Sequence, residues 1–248
     1  MKLIRFYCEN ICSGVTELDA VESHHLLHVM RLGVGSEIEL FDGKGALAKG
    51  VVCEAKRKSV RVEVENIEKT APRTEKRVII AASVAKGQRF DWMISKCTEL
   101  GVDCIVPVIF ERTVKQATGI SYINRCNKLA ISAAKQSSRL LLPIITKPLD
   151  INECLDYINK EYSNATIVFG GFGKESSGIV SLSNEISDVA AFIGPEGGIT
   201  ADEEKKLGEF GAVKVRLTDT ILRIETASVA FASILCTFRD DINGQGVR

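Results

Sequence analysis

Two kinds of hydrophobic pattern divide the chain. Before residue 70, short segments alternate apolar and polar positions, as in 38–41 (IELF) and 60–64 (VRVEV), and this alternation predicts half-buried β-strands. From residue 78 onward continuous apolar runs occur instead, the first being 78–84 (VIIAASV). Such runs predict strands that are buried on both faces of a sheet. The chain is therefore predicted to combine a mainly β region with a layered α/β region.

The first region contains one segment with helical spacing. Apolar positions recur helically over 21–32, and Gly33 predicts the end of that helix. Gly50 indicates a bulge or a tight bend in a strand. Several short strands with one helix favour a small barrel. The polar segment 68–76, which contains a proline, is the best candidate linker, so we predict domains at 1–70 and 74–248.

Strands and helices alternate in the second region. Further strands are predicted at 104–108, 165–169, 189–193 and 213–215, and helices at 88–100 and 122–136. This alternation predicts a largely parallel sheet with helices on both faces, an α/β architecture. Ligands of such sheets bind beyond the carboxyl ends of the strands.

Three loops follow three of these strands, and we expect them to converge on one site. They are 169–171 (FGG), 194–198 (GPEGG) and 217–222 (LTDTIL). The glycines leave room for a ligand to approach the backbone. Thr200 followed by Glu203 predicts the start of a helix, and a helix N-terminus suits an electron-rich ligand group. From spacing alone, an ordinary strand-to-helix turn is an equal alternative. The chain has no GxxxxGK[ST], and no GxGxxG follows its first buried strand.

Composition adds a charge asymmetry and excludes several classes of protein. The chain has 32 basic and 32 acidic residues, but residues 78–147 hold ten Lys and Arg against four Asp and Glu. A basic segment can bind phosphate groups. A solvated surface on which these charges are balanced by other parts of the folded chain is a nearly equal alternative. The sequence contains no apolar run long enough for a membrane segment. None of its eight cysteines forms a CxxC pair, which favours a cytoplasmic protein with reduced thiols and no metal. His24 and His28 share a helical face, but no third metal ligand is in sight.

Two motifs resemble those of a known family. IGPEGG at 193–198 and ILRIETA at 221–227 resemble the RsmE-type 16S rRNA uridine-N3 methyltransferases of the SPOUT superfamily. HHLLHVMRLGVG at 24–35 and LFDGKG at 40–45 extend the resemblance into the first domain. The resemblance implies an N-terminal PUA-like β-barrel that binds RNA and a C-terminal SPOUT α/β domain with a trefoil knot. It also implies S-adenosyl-L-methionine (SAM) as cofactor, no metal, 16S rRNA of the small ribosomal subunit as partner, and a homodimer with the cofactor site near its interface.

The same resemblance assigns roles to individual residues. Those expected at the cofactor are Phe169, Gly170, Gly171, Ile193, Gly194, Pro195, Glu196, Gly197, Gly198, Leu217, Thr220, Ile221, Leu222, Glu225, Thr226 and Ala227. Those expected at RNA are Arg5, Arg31, Lys86, Arg89, Arg112, Gln136 and Arg139. For Arg112, an ion pair with Glu111 that only stabilises the fold is an equal alternative to a contact with RNA. The family usually reads LGxRILR, whereas this chain has Thr218 and Thr220 in place of the glycine and the first arginine.

Arg223 is the predicted catalytic residue. When N3 of a uridine loses its proton, charge spreads onto the two neighbouring carbonyl oxygens, and a fixed cation there would stabilise it. A salt bridge from Arg223 to Glu225 or Glu196 is the alternative. The resemblance to this family therefore implies a SAM-dependent methyltransferase acting on N3 of a uridine in 16S rRNA. A SPOUT enzyme with another RNA target and a noncatalytic RNA-binding protein of the same fold are the alternatives.

Overall fold

The computed structural model describes residues 3–56, 59–85, 87–114, 119–171, 177–179 and 187–242. The chain divides into two compact units, one formed by 1–72 with 131–142 and the other by 73–130 with 143–248. Among the described residues, no helix has the length and apolar character needed to cross a membrane.

The first unit contains a five-stranded sheet. Its strands are β1 (Arg5–Tyr7), β2 (Gly14–Leu18), β3 (Glu37–Phe41), β4 (Ala46–Lys56) and β5 (Ser59–Lys69), in the order β1-β3-β4-β5-β2. Neighbours are antiparallel except β1 and β3, which are parallel. The alternating segments at 38–41 and 60–64 are strands, as predicted. The register of β4 against β5 shifts between Ala48 and Gly50, which confirms the predicted irregularity at Gly50.

The helical segment of this unit is shorter than predicted. Helix α1 spans Ala20–His24, a π-helical turn spans His25–Val29, and regular helix does not reach residue 32. Asp19 caps α1 by accepting a hydrogen bond from the Glu22 backbone N–H at 2.7 Å. Arg31 has a φ of 54°, a left-handed conformation that a helix cannot continue through. The expectation of one continuous helix to Leu32 was therefore wrong.

A distant segment of the chain completes the first unit. Helix α3 (Ile120–Ser137) places Lys135 Nζ 2.8 and 2.7 Å from the two carboxylate oxygens of Glu22. Farther along, the Leu142 N–H donates to the Gly43 carbonyl at 2.8 Å. A Cβ atom at Gly43 would lie 2.5 Å from the Leu142 side chain, so glycine allows this close approach.

The second unit contains an eight-stranded sheet in which all pairings are parallel. Its strands are β6 (Val78–Ser83), β7 (Cys104–Ile109), β8 (Ile144–Ile145), β9 (Leu149–Asp150), β10 (Ala165–Gly170), β11 (Ser177–Gly178), β12 (Asp188–Ile193) and β13 (Val213–Arg216). The order is β11-β13-β10-β12-β6-β7-β8, with β9 beside β7. The mixed α/β architecture and the parallel sheet are therefore as predicted.

Helices connect these strands. They are α2 (Gln88–Leu100), α3, α4 (Ile151–Glu161) and α5 (Ala201–Glu209), whereas α6 (Ile224–Ile242) follows β13 and packs on α2 and β6. Strands β6 and β12 are buried along their whole length, as their continuous apolar sequences require. Because β13, β10 and β12 are neighbours, the loops at their carboxyl ends are adjacent. The trefoil knot stays a prediction.

Candidate functional site

A cavity of about 510 Å³ lies at the carboxyl ends of β10, β12 and β13. The loops after these three strands and the start of α6 form its wall. The predicted cofactor and catalytic residues that line it are Gly170, Gly171, Ile193, Gly194, Pro195, Glu196, Gly197, Gly198, Leu217, Thr220, Ile221, Leu222, Arg223 and Ala227. Phe169, Glu225 and Thr226 are not part of the lining. The three loops thus meet at one place.

Glycines allow the loops to pack closely around this cavity. A Cβ atom at Gly194 would lie 2.5 Å from Ile199 Cγ1, and one at Gly170 would lie 3.4 Å from Phe231 Cε2. Any side chain at position 194 would therefore displace Ile199, which itself lines the cavity. Ile193, Leu222 and Phe231 supply apolar surface, so a flat, weakly polar group could bind against them.

Charged side chains that the sequence did not single out also line the cavity. Lys214 on β13 donates to both carboxylate oxygens of Glu204 on α5, at 3.0 and 3.1 Å. Arg216 lies two residues farther along β13 and pairs with the exposed Asp219 at 3.0 Å. Side chains at i and i+2 of a strand share a face. The spacing of these two cations directly before the third loop is visible in the sequence, but it does not show that Lys214 faces the cavity.

Arg223 is exposed and lines the cavity. Within the described part of the chain its guanidinium makes no hydrogen bond or ion pair. The two carboxylates considered as its partners lie near Arg89 instead, since Arg89 Nη1 is 3.9 Å from Glu196 and Arg89 Nε is 3.8 Å from Glu225. The Arg223 side chain can therefore be directed towards a bound molecule.

Glu225 is a buried carboxylate in the first turn of α6. Its Oε2 atom has no hydrogen-bond partner in the described residues, and Arg89 Nε lies 3.8 Å from its Oε1 atom. Arg89, the second residue of α2, thus lies near both the 194–198 loop and the start of α6. The Arg89 side chain is 48% exposed, so these two long ion pairs are weak, and its contact with RNA stays a prediction.

The loop after β7 holds the 194–198 loop in place. Arg112 Nη1 donates to the Gly197 carbonyl at 2.7 Å, and the Glu111 N–H donates to Glu203 Oε1 at 2.8 Å. Glu203 and Thr200 form a capping box at the start of α5, as the sequence predicted. Arg112 thus contacts the cavity wall directly.

The other residues predicted to bind RNA have diverse surroundings. Arg5 is half-buried and pairs with Glu39 at 2.7 Å. Arg31 and Gln136 are exposed, and Arg139 is half-buried. Lys86 lies outside the described residues. The assignment of these side chains to RNA stays a prediction.

No group of three or more His, Cys, Asp or Glu side chains suited to a metal ion occurs in the described parts of the chain. The His24 and His28 rings lie 4.8 Å apart. Burial raises the pKa of the Cys104 thiol to about 11, and a thiol that stays protonated is a poor nucleophile and a poor metal ligand.

Comparisons with known proteins identify the family. Residues 72–236 match the model of the RNA methyltransferase domain family, and residues 18–65 match that of the RNA methyltransferase PUA domain. The ribosomal RNA small subunit methyltransferase E of Bacillus subtilis (strain 168) is 32% identical over 219 residues, which cover 83% of this chain and 83% of that protein. The chain belongs to the ribosomal RNA small subunit methyltransferase E family.

Other members of this family are similar along most of the chain. The enzyme of Rickettsia conorii is 28% identical over 236 residues, 92% of this chain and 93% of that protein. A crystal structure of the enzyme from Neisseria gonorrhoeae bound to S-adenosyl methionine has a TM-score of 0.83 and 30% identity, and it covers 95% of this chain and 98% of that one. The resemblance drawn from the two motifs and the PUA assignment of the first region are thereby confirmed.

Proposed function

We propose that this protein is a SAM-dependent methyltransferase that modifies N3 of a uridine in 16S rRNA of the small ribosomal subunit. The observation that carries the proposal is the meeting of the three loops in one cavity, in a member of a family of rRNA methyltransferases. The Neisseria gonorrhoeae relative binds S-adenosyl methionine, which supports the same cofactor here.

The cavity suits this cofactor in size and in chemistry. About 510 Å³ falls within the range of roughly 300–1,000 Å³ typical of small-molecule sites. Ile193, Leu217 and Leu222 would enclose the adenine ring, and backbone groups of the glycine loops would contact its polar edge. SAM, when bound, supplies a methyl group activated by a positively charged sulfur.

Arg223 would assist the reaction by stabilising negative charge on the uracil ring. The N3 imide is a poor nucleophile until its proton leaves, and charge then accumulates on the flanking carbonyl oxygens. A preorganised cation near those oxygens lowers the barrier. Arg223 lines the cavity and is not paired with Glu196 or Glu225, so its guanidinium is available for this contact.

The decisive experiment maps methylated uridine in rRNA by mass spectrometry. Small-subunit RNA from cells that lack this protein is incubated with purified protein and SAM. We expect one N3-methylated uridine to appear in 16S rRNA. The Gly197→Leu variant should not form it, because a Cβ there already lies 3.3 Å from Arg112 and the larger side chain must displace the loop. Gly208→Ala is the matched control, since a Cβ there meets nothing within 4 Å.

Other outcomes would identify the alternatives. Methylation of a different RNA by the unmodified protein would indicate an enzyme of the same fold with another target. Binding of rRNA without any methyl transfer would indicate a noncatalytic RNA-binding protein. If Gly197→Leu retained full SAM affinity, the assignment of the cofactor to this cavity would be wrong.

The proposal includes a homodimer. It also includes a cytoplasmic location, where the enzyme would encounter its ribosomal substrate. Helix α2 leaves Trp92 46% exposed, and aromatic residues are enriched in the cores of protein interfaces. The predicted RNA-binding role of the first unit is supported by the PUA match over residues 18–65. Sedimentation measurements on the full chain give the oligomeric state.

A further inference from the structure

An ion pair forms part of the cavity wall. Lys214 and Glu204 both line the cavity, and the exposed fractions of their side chains are 27% and 39%. The Lys214 ammonium lies 3.0 and 3.1 Å from the two Glu204 oxygens. Two opposite charges thus stand side by side on one wall, and screening by water is weaker there than on an open surface.

The surroundings of Lys214 hold its side chain at this wall. Its ammonium lies 5.7 Å from the centre of the Phe169 ring, within the distance at which cations and aromatic rings attract. A Cβ atom at Gly171 would lie 2.3 Å from Lys214 Cε, so the glycine leaves space for the lysine chain to pass. Phe169 ends strand β10 together with Gly170, and Gly171 follows it; both neighbours belong to the segment 169–171, which the sequence predicts to lie at the cofactor.

The second ion pair nearby is less suited to a ligand. Arg216 lines the cavity, but its partner Asp219 is not part of the lining and its side chain is 89% exposed. An exposed pair of this kind interacts weakly. Lys214 and Glu204 are therefore the pair whose positive and negative ends both face the cavity.

We infer that Lys214 and Glu204 are specificity-determining residues that bind the amino-acid end of SAM, with Lys214 contacting its carboxylate and Glu204 its ammonium. The inference rests on the proposed function. An amino acid at neutral pH carries one charge of each sign, and a fixed pair of opposite charges is complementary to it. In the free protein the two side chains neutralise each other, so neither charge is left unpaired. The apolar part of the cavity stays available for the adenine ring.

Calorimetry with two ligands tests this assignment. S-adenosylhomocysteine retains the amino-acid end, whereas methylthioadenosine keeps the adenosine and lacks that end. We expect Lys214→Met and Glu204→Gln to weaken binding of S-adenosylhomocysteine by about ten- to a hundredfold, the effect of losing a hydrogen bond to a charged group. The affinity for methylthioadenosine should change by less than about twofold in both variants.

Lys205→Met is the matched control. It removes the same charge next to Glu204, from an exposed side chain that does not line the cavity, and should leave both affinities unchanged. Equal losses for both ligands would overturn the inference, because the pair would then only brace α5 against β13. Unchanged affinities for both ligands would also overturn it. If the unmodified protein bound neither ligand, the proposed function would itself be wrong, and this assignment with it.

Discussion

At the scale of single residues, Arg223 is the side chain on which the proposed chemistry depends most. It lines the cavity, while Glu196 and Glu225 lie near Arg89. We expect Arg223→Ala to lower the rate of methyl transfer by ~10²-fold or more, as the loss of one preorganised donor does in other enzymes. Affinity for SAM should change much less. Single-turnover rates and calorimetry on the same variant separate the two effects.

The control for Arg223 is Arg216→Ala, which removes another cation from the cavity wall. It should affect the rate of methyl transfer less than the loss of Arg223. If Arg223→Ala reduced cofactor affinity and rate in equal measure, the residue would be structural. The donor would then have to be sought among Arg112, Gln136 and Arg139.

The sequence could identify most loop residues of the cavity but not its charged wall. Gly194–Gly198 and Leu217–Leu222 are recognisable because glycines and apolar residues follow predicted strands. Lys214 and Glu204 belong to a strand and a helix, where a charged side chain ordinarily faces water. Only the packing of β13 beside β10 brings Lys214 next to Phe169 and Gly171. That neighbourhood depends on strand order, which local sequence does not encode.

At the scale of secondary-structure elements, the start of α5 determines the position of the second loop. Glu203 is 5% exposed, and its two oxygens accept hydrogen bonds from the Thr200 N–H and the Glu111 N–H, each at 2.8 Å. Glu203→Ala would leave both N–H groups without this acceptor. We expect the free energy of unfolding to fall by about 1–3 kcal/mol, measured by urea titration.

The matched control on the same helix is Glu209→Ala, at an exposed position. Its free energy of unfolding should stay within about 0.5 kcal/mol of the unmodified protein. Equal losses in the two variants would mean that the capping box contributes nothing beyond the helical propensity of the substituted residue.

Elements with a clear hydrophobic period and a clear stop signal could be predicted from the sequence. Helix α2 has its predicted bounds because Gly101 ends it in a left-handed conformation, with a φ of 93°. The helix predicted over 21–32 ends early because Arg31 adopts the left-handed conformation. Arginine has no preference for that conformation, so the sequence does not show this end. Strands of two or three residues, such as β1 and β8, are too short to show any period. Their pairing depends on neighbours that are distant in sequence.

At the scale of the whole molecule, one polar cluster joins distant parts of the chain. The Lys135 ammonium contacts the Glu22 carboxylate and lies 3.3 Å from His25 Nδ1. Burial lowers the pKa of His25, and the positive charge of Lys135 lowers it further. Glu22 raises the pKa of His25 and His24 lowers it, and each effect is smaller than that of burial.

This lowered pKa predicts how stability depends on pH. An unfolded histidine has a pKa of about 6.5, so below that pH the unfolded chain binds more protons than the folded one. Stability contributed by neutral His25 is therefore complete above about pH 6.5 and is lost as the pH falls through the folded-state pKa. Urea unfolding between about pH 7.5 and 5 should show this decrease, and His25→Gln should flatten it. His28→Gln, at an exposed position, should keep the slope of the unmodified protein; equal slopes for unmodified protein and His25→Gln would contradict the argument.

The two-segment composition of the first unit has a consequence for biosynthesis. Residues 1–72 leave the ribosome first, yet the contacts with Lys135 and Leu142 become possible only after residue 142 has emerged. At about 5–20 residues per second, that interval is several seconds. During it the residues of the five-stranded sheet are without their last segment, and Glu22 has no counterion from Lys135. The N-terminal unit, although translated first, is thus completed only while the C-terminal unit is already being made.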